Sequence, residues 1–309
     1  MRQFIGILLF CIGISGCTDE LSSSSGTTNY VRISMALQGI NDFSDYIGYL
    51  TIYAFRENSK GEYVFYRKLA ELNRNDINKL ESAVSPGENY TESKLFHSEL
   101  PLGNYRLYVI GNAQVEKREA SPAGDAVPAD FYFTYPEDGL YWAYFLGEKD
   151  IQAGSNSQIV RIELHRIVSR ILLKLYSIPY QIDTIRMTLK DIAYRIHLDG
   201  TYSGTTQSEQ RVFRMKNEDV YLQDTIFFDM FTFPSARDSS ELELIFQAKN
   251  GQKRYKSVPV QLDPDHYLYL TGRINSACGA LLSFEFSCVY FFAWDWRNIV
   301  LPEFPLKPL

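Results

Sequence analysis

The side chains able to ligate a metal, shuttle a proton or attack an electrophile are few in this chain, and most stand apart. Its four histidines, His97, His165, His197 and His266, fall on separate segments, and none belongs to an H-E-x-x-H pair. Zinc requires closely spaced Cys or His ligands, or three converging ligands with an open position, and neither spacing occurs. There is no G-x-S-x-G nucleophile elbow and no G-x-x-x-x-G-K phosphate loop. Asp263-Pro264-Asp265-His266 comes nearest to a cation-binding cluster, but polar residues around a proline are also what a turn between strands needs. Glu137-Asp138 beside Gly139 reads as a turn in the same way. No catalytic residue, cofactor-binding residue or metal ligand is assigned, and the expectation is a protein that is not an enzyme.

One cysteine is different in kind. Cys17 follows Ile14-Ser15-Gly16, which in turn follows Arg2 and an apolar run from Phe4 to Ile14. A basic start, an apolar stretch too short to span a bilayer and small residues before a cut make a secretory signal. A cysteine at the cut resembles the bacterial lipobox, in which the thiol becomes a diacylglycerol thioether and the new amino terminus is acylated. Each buried acyl CH₂ contributes about 0.8 kcal/mol, so several chains anchor far more firmly than one. Residues 1–16 are therefore read as signal peptide and Cys17 as the lipidation site. Of the other cysteines, Cys11 leaves with the signal. Cys278 and Cys288 either pair in an oxidising envelope compartment or pack as buried thiols, and both readings stand.

Composition narrows the remainder. Removal of 16 residues from 309 leaves 293, enough for one large or two ordinary domains. The whole chain carries −6, and loss of Arg2 makes the mature chain −7. Such a balance argues against a nucleic-acid partner, which would require basic patches. Twenty-two Tyr and 20 Phe, with many Val, Ile and Thr, favour strands. Two Asp-Thr-Ile triplets, Asp183–Ile185 and Asp224–Ile226, look like short O-glycan acceptors and equally like ordinary strand starts.

The elements follow from periodicity. Residues 17–28, with four serines and a glycine, make a lipidated flexible tether, and its acidic pair Asp19-Glu20 is reminiscent of surface-export signals. Val31, Ile33, Met35 and Leu37 alternate with smaller or polar residues and predict a first strand. Ile47–Phe55 is apolar on both faces, as in a central strand; Asn58–Gly61 turns it into a partner from Glu62. Leu69, Leu72, Ile77, Leu80 and Val84 fit one short helix, and Leu100-Pro101-Leu102-Gly103 a tight reversal into Tyr105–Ile110. Residues 114–130 read as a long exposed loop in which Lys117-Arg118 is a site for trypsin-like nicking. Phe131–Phe145 predicts an aromatic hairpin that fills a core or an interface, or else an exposed sugar-stacking platform.

Polar Glu148–Ser157 is the expected domain boundary, giving 29–150 and 151–309. In Ile185–Leu198 the apolar residues switch from odd to even positions near Lys190-Asp191, which predicts a β-bulge. Asp199-Gly200 and Asn250-Gly251 predict hairpin turns, the second with both central residues at φ > 0. Strands follow at Tyr267–Ile274 and Leu281–Phe292. In the tail, Val300, Phe304 and Leu306 share one apolar face with Pro302 and Pro308, as in an extended added strand or a cap on the chain's own sheet. Many short strands with regular turns make the chain all-β, with two antiparallel β-sandwich domains in tandem.

Several segments in order resemble a known family: the lipobox at Cys17, TIYAF (Thr51–Phe55), LPLGNYRLYVIGNA (Leu100–Ala113), HRIVSRILLKL (His165–Leu175) and LDGTYSG (Leu198–Gly204). Together they are similar to the fimbrillin-A-associated anchor proteins, minor lipoprotein subunits of type V pili. The resemblance implies two transthyretin-like sandwiches and a pilus subunit lipid-anchored at the surface of the outer membrane. Its partners would be other pilin subunits, with no small-molecule substrate. It also implies joining by strand exchange, often after an arginine-specific protease removes the acceptor's first strand, with Val300, Phe304 and Leu306 as donor-strand residues here. Arg32 lies inside the first strand and Arg56 after the second, so an uncleaved anchor is expected. The alternative is a surface glycan-binding lipoprotein working beside an outer-membrane transporter.

Overall fold

The alternation read in the first strand is realised in β1 (Thr28–Leu37), where Val31, Ile33, Met35 and Leu37 are all fully buried. The computed structural model describes residues 28–38, 40, 43–84, 92–118, 125–154, 158–176, 178, 182–213, 225–277 and 281–291. After β1 come α1 (Phe43–Tyr46), β2 (Tyr49–Glu57), β3 (Tyr63–Asn73), α2 (Arg74–Lys79), β4 (Glu81–Val84), β5 (Glu92–Pro101) and β6 (Gly103–Gly111). Then follow β7 (Glu116–Lys117), β8 (Phe131–Thr134), β9 (Phe145–Ala153), β10 (Gln158–Arg166), β11 (Ser169–Tyr176) and β12 (Ile182–His197). The last are β13 (Tyr202–Phe213), β14 (Thr225–Thr232), β15 (Ser240–Ala248), β16 (Lys253–Val260), β17 (Tyr267–Ala277) and β18 (Leu281–Phe291).

The protein is nearly all-β, built as sandwiches from curled sheets. One sheet runs β3-β2-β6-β9-β10-β1-β5-β4. Its β9–β10 seam holds only two residue pairs, His165↔Leu146 and Arg166↔Phe145, so the sheet is two four-stranded halves joined at a corner. Arg67 of β3 donates to the Glu99 carbonyl of β5, tying one half to the other. β2 lies between β3 and β6 with Leu50 to Phe55 buried, the central strand its two-sided apolar run demands. The second group consists of β14-β11-β17-β18 and β16-β15-β12-β8-β7, with β13 also on β12. Gln210 of β13 reaches the Asp229 carbonyl of β14 and joins those two sheets.

Turn chemistry sets the hairpins. At Asn58–Gly61, His197–Gly200 and Ala248–Gly251, a glycine at φ +80°, +81° and +83° donates its N–H three residues back. That is a three-residue loop closed by one left-handed glycine. Among the residues of the Asn250-Gly251 turn only Gly251 has positive φ, which corrects the expected two-residue turn. The bulge is present: the register of β12 against β13 shifts between Leu189 and Ile192, and Asp191 takes φ +59°. Ile192 and Ala193 are both buried as a result, and the apolar face passes from odd to even positions.

Two further expectations need correction. Leu69 and Leu72 belong to β3, and the helix is confined to Arg74–Lys79, started by an Asn73–Asp76 capping box. Phe131–Phe145 is no hairpin: β8 pairs with β12 and β7, and β9 with β6 and β10. The strand expected after Leu100–Gly103 is β6, and it takes partners different from those of β5. Residues 148–157, the expected domain boundary, hold the end of β9 and lead into β10, both strands of the first sheet. The chain crosses to the second group of strands at Ile167–Val168, after β8 has already paired there.

Candidate functional site

β1 is the element on which a strand-exchange reading turns. It runs between β5, antiparallel, and β10, parallel, with partners on both edges from Val31 to Ala36. Four fully buried side chains at alternate positions fill a groove in the sandwich. Burying an aliphatic side chain is worth about 1.5–3 kcal/mol, so an empty groove would cost much of a domain's usual stability of about 5–15 kcal/mol. Only another strand with the same period could replace it.

Arg32 and Arg56 stand where they offer a protease little. Arg32 is paired in β1 with His97 of β5 and Ile159 of β10. Arg56 is in β2, paired with Val64 and Tyr105, and its guanidinium donates to the Leu102 carbonyl at 3.0 Å. Residues 38–48, which connect β1 to β2, contain neither Arg nor Lys. Arg118 lies outside the strands with its side chain 72% exposed.

Close to β1 is a pair that periodicity does not reveal. Lys94 on β5, almost wholly buried, meets Glu92 at 2.9 Å and Ser82 at 2.6 Å. Burial alone would raise the Glu92 carboxyl, but hydrogen bonds and charge from Lys94, with further bonds from Ser82 and the Phe43 amide, hold it below the usual range. Asn112, in the left-handed region at φ +63°, gives its amide to the Tyr46 and Ala143 carbonyls and accepts from the Gly48 N–H. The Asn112 contacts, like the Phe43 amide on Glu92, come from residues far apart in the chain.

The histidines stay dispersed. His97 faces Glu81 at 3.9 Å, His165 meets Gln38, and His197 meets the Ala129 carbonyl and Ser203. His266 turns back on the Pro264 carbonyl. Asp265, at φ +58°, forms a 3.1 Å ion pair with buried Arg166. Burial pushes the Asp265 carboxyl up, against the pull of Arg166. Among the described residues no three His, Cys, Asp or Glu side chains are grouped to hold a metal ion. Gly139, at φ +82°, closes the Glu137-Asp138 turn onto the Pro136 carbonyl.

The aromatic run divides. Phe131 packs edge-on to Phe55 at 5.2 Å and near Phe65 at 5.2 Å, linking β8 to β2 and β3, while Tyr135 meets Phe233 at 5.3 Å. Phe131, Phe133, Tyr135 and Phe145 are buried, whereas Tyr141 and Trp142 are exposed. Thr184, in the first Asp-Thr-Ile triplet, is paired on both sides in β12. Cys17, Cys278, Asp224 and the tail residues Val300, Phe304 and Leu306 lie outside the described residues, and Cys288 pairs through its backbone with Leu270. No helix among the described residues is long and apolar enough to cross a membrane.

The profile of the family described as fimbrillin-A associated anchor proteins Mfa1 and Mfa2 matches residues 22–296. Among solved structures, the chain is similar to a candidate polysaccharide-binding protein from Bacteroides thetaiotaomicron, at 15% identity and TM-score 0.55, over 80% of this chain and 92% of that one. It is similar to the fimbrial anchor protein Mfa2 from Porphyromonas gingivalis, at 10% identity and TM-score 0.53, over 84% and 97%. A candidate adhesin from Bacteroides ovatus matches at 9% identity and TM-score 0.53, over 84% and 95%. At such identities the likeness is one of fold. No curated protein sequence matches.

Proposed function

Since the chain belongs to the family of fimbrillin-A associated anchor proteins, we propose that it is the lipid-held anchor subunit of a pilus, uncleaved and non-catalytic. Membership makes it a fimbrial accessory protein of the cell surface. In the proposed form, acyl chains on Cys17 hold it in the outer membrane, and a neighbouring pilin joins it by strand exchange. The observation that carries this reading is the intact first strand: β1 fills its groove, and no basic residue lies between it and β2 to let an arginine-specific protease free it. A subunit that keeps β1 also keeps whatever is attached ahead of it. The two groups of sheets would act as separate domains, the second completed by β7 and β8 from ahead of the Ile167 crossing.

The donor strand is proposed to be the tail, with Val300, Phe304 and Leu306 filling pockets of the next subunit. In support, the tail follows β18, the edge strand of its sheet among the described residues. The test has two arms. A Cys17→Ala protein should fail to incorporate labelled palmitate, and persistent labelling overturns the anchor. Deletion of residues 298–309 should leave the melting temperature and membrane attachment unchanged while pili are shed into the medium. A fall of several degrees would instead make the tail a cap on its own sheet, since one lost buried strand costs about a few kcal/mol.

The rival reading, a glycan-binding lipoprotein beside a transporter, needs the aromatics of Phe131–Phe145 at the surface. Burial of Phe131, Phe133, Tyr135 and Phe145 removes most of that platform.

A further inference from the structure

Two aromatics of the run, adjacent in sequence, remain in solvent. Tyr141 is 73% and Trp142 65% exposed, between Leu140 and Ala143, which are both buried. The loop that carries them is pinned at several points. Leu140 forms a β-bridge with Phe231, Gly139 closes a turn onto Pro136, and Asn112 holds the Ala143 carbonyl at 3.0 Å. Scattered exposed aromatics are ordinary. An adjacent Tyr-Trp pair on a loop whose backbone is anchored costs less to order on binding than one on a free loop.

Tyr141 also lines a groove of about 380 Å³ with Asp138, Ser208, Glu209, Gln210 and Asp229. Two of its three carboxylates are already neutralised. Asp229 takes both oxygens to Arg170, at 2.8 and 2.6 Å, and Glu209 faces Arg186 at 3.4 Å. The groove therefore presents acceptor oxygens, with Asp138 as its one carboxylate outside an ion pair, and no Lys or Arg lines it. An anion finds no cationic partner there, and a cationic ligand finds the single carboxylate of Asp138. A ligand with many hydroxyl donors and apolar C–H faces satisfies both walls. Its hydroxyls would donate to the carboxylates and the Gln210 amide, and its C–H bonds would lie on the electron-rich ring faces.

We propose that Tyr141, Trp142 and the adjoining groove form a binding site for a neutral glycan, which makes this subunit a point of carbohydrate contact as well as a structural component. The site rests on its own geometry and stands whether or not the tail is a donor strand.

The test is affinity electrophoresis of the mature chain through gels containing dextran, mannan, xylan or galactan, with alginate as the acidic polymer and polylysine as the cationic one. At least one neutral polymer should retard the protein, and the Tyr141→Ala/Trp142→Ala double variant should bind about tenfold more weakly or worse. Both residues are exposed, so its melting temperature should be unchanged. Tyr255→Ala, which removes an equally exposed but isolated tyrosine on β16, should bind like the parent. The proposal is overturned if no neutral polymer retards the parent, or if the double variant binds as well. Equal loss in Tyr255→Ala, or binding only to alginate or polylysine, overturns it too. If the double variant loses a pilin partner while no polysaccharide binds, the patch is a subunit contact instead.

Discussion

An arginine-specific protease should leave Arg32 and Arg56 intact in the folded protein and cut first at Arg118 and Arg237. Reaching Arg32 means drawing β1 out from between β5 and β10, since it is paired on both edges. The four buried side chains of β1 represent about 6–12 kcal/mol of apolar burial, an upper value because unfolded chains already bury some surface. Regained chain entropy and the lost ladder hydrogen bonds oppose one another. A net opening cost of about 4 kcal/mol is therefore a conservative figure, and it lowers the open population about a thousandfold. When reclosing outruns cleavage, the rate follows that population. Arg118 and Arg237 are exposed residues outside the strands and need no such opening. The assay is a time course followed by intact mass and amino-terminal identification, with a product starting at residue 119 expected early. Cleavage after Arg32 at a rate within about tenfold of the loop sites would refute the reasoning, and with it the uncleaved anchor.

Ile33→Ala should cost about 2–5 kcal/mol and lower the melting temperature by roughly 5–15 °C, because Ile33 is fully buried in β1. Ser34→Ala, on the opposite face, should shift it by less than about 2 °C. Glu92→Gln leaves the buried Lys94 ammonium without its carboxylate and should destabilise by about 3 kcal/mol at pH 7, read by urea unfolding. The Glu92 carboxyl is held below its ordinary value, so its contribution is complete above about pH 4.3 and fades as the pH falls through the lowered folded value. The two proteins should therefore converge in acid, and a gap that persists at about pH 2 would refute the assignment. Fragments 28–150 and 155–309 should fail to melt cooperatively, since the first loses β10 from the edge of β1 and the second loses β8 from β12. Cooperative melting of both would support the boundary expected at 148–157.

What could be read from the sequence was whatever neighbouring residues decide among themselves. The period of two in Val31–Leu37 and Leu242–Phe246 fixes which face is buried, because successive side chains of a strand point to opposite sides. The shift of parity around Lys190-Asp191 located a bulge, since one extra residue moves every later side chain to the other face. Glycines at Gly61, Gly200 and Gly251 marked turns because φ > 0 is open to them at no steric cost. The ordered segments from Thr51 to Gly204 pointed to a family that the profile over 22–296 bears out. The choice of partner strand was not legible. Phe131–Phe145 has the composition of a hairpin, yet β8 and β9 enter different sheets, and Leu100–Gly103 looks like a reversal yet joins strands that never pair. Likewise, Leu69 and Leu72 fit a helical spacing but extend β3 along β2. Tyr141 and Trp142 could not be told from their buried neighbours by composition, because exposure depends on what lies opposite. Turns and periods are settled by local sterics, whereas pairing and burial are settled by surfaces brought together from distant stretches of the chain, and only the folded structure holds those in place.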